Sequence, residues 1–324
     1  MKAVRLHEIG GPEKLRTEDI PNPVSREGET LVRVHAAALN HRDVFITRGL
    51  YPNIALPCTL GADGCGELDG RRVVIDPLIG WGNDPNVWDA GATILGVPRD
   101  GTFAQYVSVP AANVYDPPAH LDDSECAALP LGGLTAYRAV ITRGKISAGE
   151  TVLITGIGGG VQTFALLFAK ALGARVAVTS SSDEKLERAR SLGADITVNY
   201  RTTPDWHKAA RKEAGAIDVA IDSAGGETFA KLTTIVRPGG RIVTYGGTTG
   251  DATIRMFPVF WNHLTILGTS MGSPHDFSAM LEFVRAEKIR PIVDRVFALD
   301  DARAAFDYLD RAEQFGKVVL AIPE

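Results

Sequence analysis

The chain has 324 residues, of which 45% are hydrophobic and 23% charged, and a formal net charge of −5. That is globular composition with length enough for two buried cores. The negative balance gives no electrostatic case for nucleic acid or anionic membranes as partners. No apolar run approaches the roughly 20 residues of a membrane span.

The N-terminus, MKAVRLHEIGGPEKL, carries no signal-peptide core, so the expected compartment is the cytoplasm. Residues 1 to about 115 read as β-rich. Met1 to Leu6 alternates. Thr30 to Ala38 sets Leu31, Arg33 and His35 against Val32, Val34 and Ala36, the pattern of a half-buried strand. Arg72 to Ile75 and Phe103 to Val109 are further predicted strands. Gly10-Gly11-Pro12, Pro21-Asn22-Pro23 and Gly49 to Pro52 punctuate the gaps. Leu78 to Gly101, with Trp81 and Trp88 among small and turn residues, reads as an irregular lobe. The three cysteines, Cys58, Cys65 and Cys126, have neither a disulfide framework's pairing nor metal-type spacing.

From Leu121 strands and helices alternate. The predicted strands are Thr151–Thr155, Arg175–Ser180, Ile196–Tyr200, Ile217–Asp222, Arg241–Tyr245 and Leu264–Thr269. Helical spacing occupies 161–172, 183–192, 204–214 and 226–236 between the first five. Six strands with intervening helices predict an α/β fold with a doubly wound parallel sheet. At its head stands TVLITGIGGGVQTFALLFAKALGA: a β-branched strand, glycines at Gly156, Gly158, Gly159 and Gly160, then an apolar helix stopped by Gly173. Such a turn brings backbone and free N–H groups close to a pyrophosphate. The fingerprint is imperfect, with Val161 and Gln162 standing where its two possible frames ask for a last glycine. Helical patterns at Phe277–Ala286 and Asp300–Leu309 precede a strand at Lys317–Leu320, which is expected to pair back with the first domain. The expected division is 1–120 with 288–324, and 121–287.

A β-rich domain, a doubly wound domain and a short return resemble the medium-chain dehydrogenase/reductase family, in particular its zinc-less quinone oxidoreductase-like and alcohol dehydrogenase-like branch. Three stretches carry the resemblance. AALNHRDVFITRGLY (Ala37–Tyr51) is similar to the substrate-side motif of quinone oxidoreductases, LGADGCGE (Leu60–Glu67) occupies the place of the family's G-H-E motif, and LPLGGLTAY (Leu129–Tyr137) resembles its G-L-T-A helix. The implied architecture is a GroES-like substrate domain and a Rossmann domain. Zinc members offer Cys, His and Cys to the metal. Those positions fall here on Asn40, Ala62 and near Leu131, with Asp63 in place of the adjacent Glu, and none of these can supply a thiolate or imidazole. No zinc is expected at this site, nor in the cysteine-free lobe from Leu78 to Gly101. His41 reads as a structural residue.

In this fold a carboxylate at the tip of the second strand selects NAD. Here the tip is Ser180-Ser181-Ser182, and Asp183 reads as a helix N-cap. Hydroxyls and a cation hold a phosphate instead, and Asn199-Tyr200-Arg201 resembles the family's second contact to it. The expected cofactor is NADPH (NADP+), with Ser180, Ser181, Lys185 and Tyr200 around the extra phosphate. The resemblance and the strand ends add Gly156, Gly158, Gly159, Gly160, Val161, Thr135, Tyr245, Gly246, Thr269, Ser270 and Lys317 as cofactor contacts, Lys317 on the pyrophosphate. Without a Lewis acid, reduction of a conjugated acceptor such as a quinone or enone is the easier reaction, since its spread charge needs only hydrogen-bond donors at the oxygen; the expected partner is a small-molecule quinone, enone or aldehyde. The resemblance gives these roles to Asn40 and Tyr51, and puts Asp43 in the same motif as a catalytic candidate or an orienting group. Rival expectations are an alcohol dehydrogenase or enoyl-thioester reductase on the same scaffold, or a non-catalytic NADPH-binding sensor or structural protein. A homodimer joined through the last strand of the Rossmann sheet is expected.

Overall fold

The computed structural model describes residues 1–323. They divide into two compact units: Met1–Leu134 with the return that begins at Gly272, and Thr135–Met271.

The first unit begins with β1 (Lys2–Leu6), β2 (Leu15–Asp19), β3 (Glu29–Ala38), α1 (His41–Thr47), β4 (Cys58–Thr59), β5 (Asp63–Leu68) and β6 (Arg71–Ile75). It continues through the lobe strands β7 (Leu78–Ile79), β8 (Thr93–Leu95) and β9 (Pro98–Arg99), then β10 (Tyr106–Pro110), β11 (Val114–Tyr115), α2 (Asp123–Ala128) and α3 (Pro130–Tyr137). In β3 the predicted alternation is realised: Val32, Val34 and Ala36 are buried while Leu31, Arg33 and His35 are half-buried. Strand β5, laced with Gly64 and Gly66, was not among the expected strands. Its glycines answer to packing, because a Cβ on Gly66 would lie 1.9 Å from the Arg33 carbonyl oxygen on β3. Only a strand without that side chain fits there.

The second unit opens with helical chain through Arg138–Arg143 and then builds β12 (Thr151–Ile154), α4 (Gly160–Ala171), β13 (Arg175–Ser180), α5 (Asp183–Ser191), β14 (Ile196–Asn199), α6 (Trp206–Ala214), β15 (Ile217–Asp222), α7 (Gly226–Ile235), β16 (Val236–Thr244), α8 (Met256–Trp261) and β17 (Thr265–Gly268). The six strands are parallel in the order β14-β13-β12-β15-β16-β17. Strand order reverses between β12 and β15, the position at which such sheets bind ligands at their carboxyl ends. Strand β12 is buried throughout, as a strand covered on both faces must be.

The return adds α9 (Pro274–Ala286), β18 (Val293–Ala298), α10 (Ala302–Asp310) and β19 (Lys317–Ala321) to the first unit. Strand β19 pairs antiparallel with β3 and parallel with β18, in a seven-stranded sheet whose path is β11-β6-β5-β3-β19-β18, with β10 also on β3. The expected return strand is therefore present, and β18 is an addition. The compact units divide within α3 and just before α9, rather than at 120/121 and 287/288. Helix α9 belongs with the first unit because Phe277 packs on Tyr115, ring centroids 4.9 Å apart, and Met280 lies against Gly133. All three cysteines are buried and free. No helix among the described residues is long and apolar enough to cross a membrane.

Candidate active site

In the second unit the site is made of backbone. Gly156 and Gly158 take left-handed φ angles of 68° and 127°, conformations that glycine alone adopts without strain. The turn is tied to β13 by Gly156 N donating to Thr179 Oγ1 (3.1 Å) and Ile157 N to Thr179 O (2.7 Å). Helix α4 starts after Gly159 with no side-chain cap, so its first N–H groups remain for an anion. A Cβ on Gly158 would meet Lys185 Cδ at 2.9 Å and Nζ at 3.3 Å, which puts that ammonium over the glycine turn. Gln162, in the first turn of α4, donates from Nε2 to Ser223 Oγ at 2.7 Å and so reaches from the β12 side to the end of β15.

At the end of β13, Ser180 is buried and its Oγ accepts from Ser182 N at 3.2 Å. Ser182, rather than Asp183, is the N-cap of α5, accepting from Lys185 N. The Asp183 carboxylate is instead engaged by Asn199 Nδ2 at 2.7 Å. Tyr200, 43% exposed, follows β14 and donates its N–H to Ser180 O. Beside them a cavity of about 320 Å³ is lined by Thr155, Gly156, Thr179, Tyr200, Trp206, Thr228 and Lys231, among others. Further along the carboxyl edge, the Tyr245 hydroxyl and Thr269 Oγ1 are buried without a hydrogen-bond partner. Gly246 lies close on β15, where a Cβ would be 3.0 Å from Ser223 O. Ser270 is exposed, and Thr135 is buried near the end of α3. A glycine cradle, an overlying ammonium and two orphaned hydroxyls on one sheet edge fit a dinucleotide.

In the first unit the site is a buried charge cluster. Asn40 is the N-cap of α1, placed where β3 ends, and Asp63 opens β5. Lys317 opens β19, and its ammonium donates to Leu39 O (2.8 Å), Asn40 Oδ1 (2.7 Å) and Asp63 Oδ2 (2.9 Å). Asn40 Nδ2 donates to the same Asp63 oxygen at 3.0 Å, and Leu131 N donates to the other at 2.8 Å. Lys317 is 3% exposed and Asp63 fully buried. The expectation that Lys317 reaches a pyrophosphate is corrected here, because an ammonium has three donors and all three are engaged within the first unit. Asp43 also departs from a catalytic role: wholly buried, it accepts Asn40 N through Oδ2 at 2.8 Å as the N3 member of the α1 cap. Burial pushes its carboxyl up to about 6, against the opposing pull of Arg42, whose Nη1 stands 3.7 Å from Oδ1. Tyr51 is half-buried against the unit's core, with the Arg42 guanidinium 4.7 Å above its ring.

This set does not fit zinc. A cation already occupies the middle of it, both Asp63 oxygens are hydrogen-bonded, and Ala62 and Leu131 offer no ligand atom from their side chains. Among the described residues no group of three His, Cys, Asp or Glu is arranged to hold a metal ion. In the sequence Asp63 stands out only as the replacement for the family's Glu, and neither the Lys317 pairing nor the Gln162–Ser223 bridge is visible there. The Lys317 pairing follows from the strand register, which only the fold reveals: Val319 pairs with Ala38, so Lys317 falls opposite Asn40.

Comparison with known proteins agrees with this architecture. Residues 26–119 match the alcohol dehydrogenase GroES-like domain and residues 160–286 the zinc-binding dehydrogenase domain. The zinc-type alcohol dehydrogenase-like protein YogA of Leptosphaeria maculans is 37% identical over 338 residues, covering 95% of this chain and 94% of that protein. A solved NAD-dependent alcohol dehydrogenase is similar with a TM-score of 0.92 and 37% identity, over the whole of both chains. The quinone oxidoreductase of Thermus thermophilus, solved also in complex with NADPH, is similar with a TM-score of 0.82 and 30% identity, over 99% of this chain and 100% of that one. The chain belongs to the medium-chain dehydrogenase/reductase superfamily of nicotinamide-dependent oxidoreductases.

Proposed function

We propose that the protein is an NADPH-dependent, zinc-independent oxidoreductase that reduces quinones or α,β-unsaturated carbonyls by hydride transfer. The observation that carries this reading is the Asn40–Asp63–Lys317 cluster, which replaces a metal-ligand set with fixed polar groups. When bound, the dinucleotide supplies a hydride. What the chain supplies is stabilisation of the charge that spreads to the acceptor's oxygen. Asn40 Nδ2 spends one hydrogen on Asp63 and keeps a second with no partner among the described residues. That hydrogen is a neutral donor suited to an enolate or hydroquinone-anion oxygen. Tyr51, whose hydroxyl has no partner among the described residues, is the second donor and proton source. Asp43 orients the Asn40 backbone and takes no part in proton transfer.

The choice of NADPH rests on the β13 tip. Ser180 and Ser181 stand there, the Tyr200 N–H donates to Ser180 O, Lys185 follows in the first turn of α5, and the nearest carboxylate, Asp183, is already engaged by Asn199. Gly156, Gly158, Gly159, Gly160 and Val161 would hold the pyrophosphate, and Thr135, Tyr245, Gly246, Thr269 and Ser270 the remainder. A second copy of the chain is the proposed partner, along β17. That edge strand carries the exposed Ile266, and the neighbouring α8 carries the exposed Phe257, Phe260 and Trp261. An unpaired edge beside so many exposed rings favours pairing with a copy of itself.

A second reading, an NAD-dependent alcohol dehydrogenase, is favoured by the name of a similar solved structure. Steady-state rates with a quinone, an enone and a simple alcohol, each with NADPH/NADP+ and NADH/NAD+, separate the two. Quinone or enone turnover preferring NADPH supports the proposal, and turnover of the alcohol alone defeats it.

A further inference from the structure

We propose that Lys317 is a positioning residue for the reduction: its ammonium, set on Leu39, Asn40 and Asp63, fixes the Asn40 amide with one amide hydrogen kept for the acceptor's oxygen. The proposal rests on the functional reading above.

A side-chain amide can sit in two orientations that exchange its oxygen and nitrogen. In the orientation present, Oδ1 accepts from Lys317 Nζ at 2.7 Å and Nδ2 donates to Asp63 Oδ2 at 3.0 Å. Flipped, the amide oxygen would face a carboxylate oxygen and the amide nitrogen an ammonium. Both contacts would be repulsive, in surroundings where neither Lys317 nor Asp63 has water to screen it. The network thus admits a single flip state, and that state leaves one N–H uncommitted.

The cluster is anchored by backbone on two sides. Leu39 O receives the third ammonium hydrogen, and Leu131 N holds the second Asp63 oxygen. Leu39 N donates to Val318 O at 2.9 Å, so the strand pairing of β3 with β19 sets where the lysine stands. With its three hydrogens engaged, Lys317 cannot itself donate to an acceptor without breaking a bond, which is why the role is positioning rather than proton transfer. The groups facing the amide are Asp63 from β5, Lys317 from β19, and Asp43 on α1, which touches the Asn40 backbone only.

The test is a double-mutant cycle on kcat with an enone and NADPH, using Asn40→Ala, Lys317→Met and the two combined. Because Lys317→Met alone strands a buried carboxylate, the cycle is repeated with Lys317→Met/Asp63→Asn as one charge-neutral change in place of Lys317→Met, which keeps the fold measurable. Dinucleotide Kd from tryptophan quenching is measured for every variant. Each single change is expected to lower kcat by at least about 10-fold, with dinucleotide Kd held within about two-fold and the combined variant no slower than Asn40→Ala, since a lysine that acts only through the amide has nothing left to position. Multiplicative losses, or a lysine variant with normal kcat and a raised dinucleotide Kd, overturn the proposal. A wild type that turns over neither enone nor quinone overturns the functional reading and takes this proposal with it. Wild-type turnover with multiplicative losses overturns this proposal alone.

Discussion

The two units solve the problem of holding charge in different ways. In Thr135–Met271 the proposed anion site is backbone: a glycine turn at Gly156 and Gly158 and the uncapped start of α4. In the first unit the charge is held by side chains that meet from far apart in sequence. Lys317 reaches Asn40 across 277 positions and Asp63 across 254. A backbone site tolerates change in most side chains around it. A closed network of three side chains does not, because each removal leaves a buried partner unsatisfied.

That contrast orders the expected effects. The largest belongs to the network: Asn40→Ala should lower kcat on the order of 100-fold, the typical cost of losing an oxyanion donor, while dinucleotide affinity, which the proposal assigns to the other unit, stays unchanged. A parallel rise in dinucleotide Kd would erase the distinction. Next is Asp43, held near 6 by burial against an ordinary 3.8. The folded state favours the neutral acid, so its contribution to stability is present below about pH 4 and is lost as pH rises through 6. That window is worth about 3 kcal/mol at 1.36 kcal/mol per unit. Urea unfolding of wild type and Asp43→Asn across pH 4 to 6 should show the extra downward slope in wild type alone.

A smaller effect is expected at the dinucleotide end. Lys185→Ala should raise the KM for NADPH roughly 10-fold, the loss of one charge-assisted bond, and leave the KM for NADH nearly untouched. Equal effects on both would assign the lysine to the shared pyrophosphate. The smallest is Gln162→Ala, which removes the bond to Ser223 and should cost about 1 kcal/mol of unfolding free energy, with dinucleotide affinity within two-fold. A large loss of affinity would make Gln162 a ligand rather than a bridge.

The same contrast decides what the sequence revealed. The doubly wound sheet was legible because its strands are short, apolar and separated by helical spacing, and the glycine turn because its chemistry is local. Strand β5 was hidden by Gly64 and Gly66, whose purpose is the close approach of β3. Strand β18 was hidden by an exposed, weakly alternating face. Asn40 stood out in its motif, but the partner that orients it lies at the other end of the chain, and nothing local to Lys317 separates a buried lysine from a surface one. Ser182 took the cap expected of Asp183 because its hydroxyl reaches Lys185 N, freeing Asp183 for Asn199.

Hydride transfer to a conjugated acceptor without a metal is read out by the rate of NADPH oxidation with a quinone before and after exhaustive chelation. Measurable turnover that chelation leaves unchanged is expected. Activity that disappears with the chelator and returns with added zinc would contradict it.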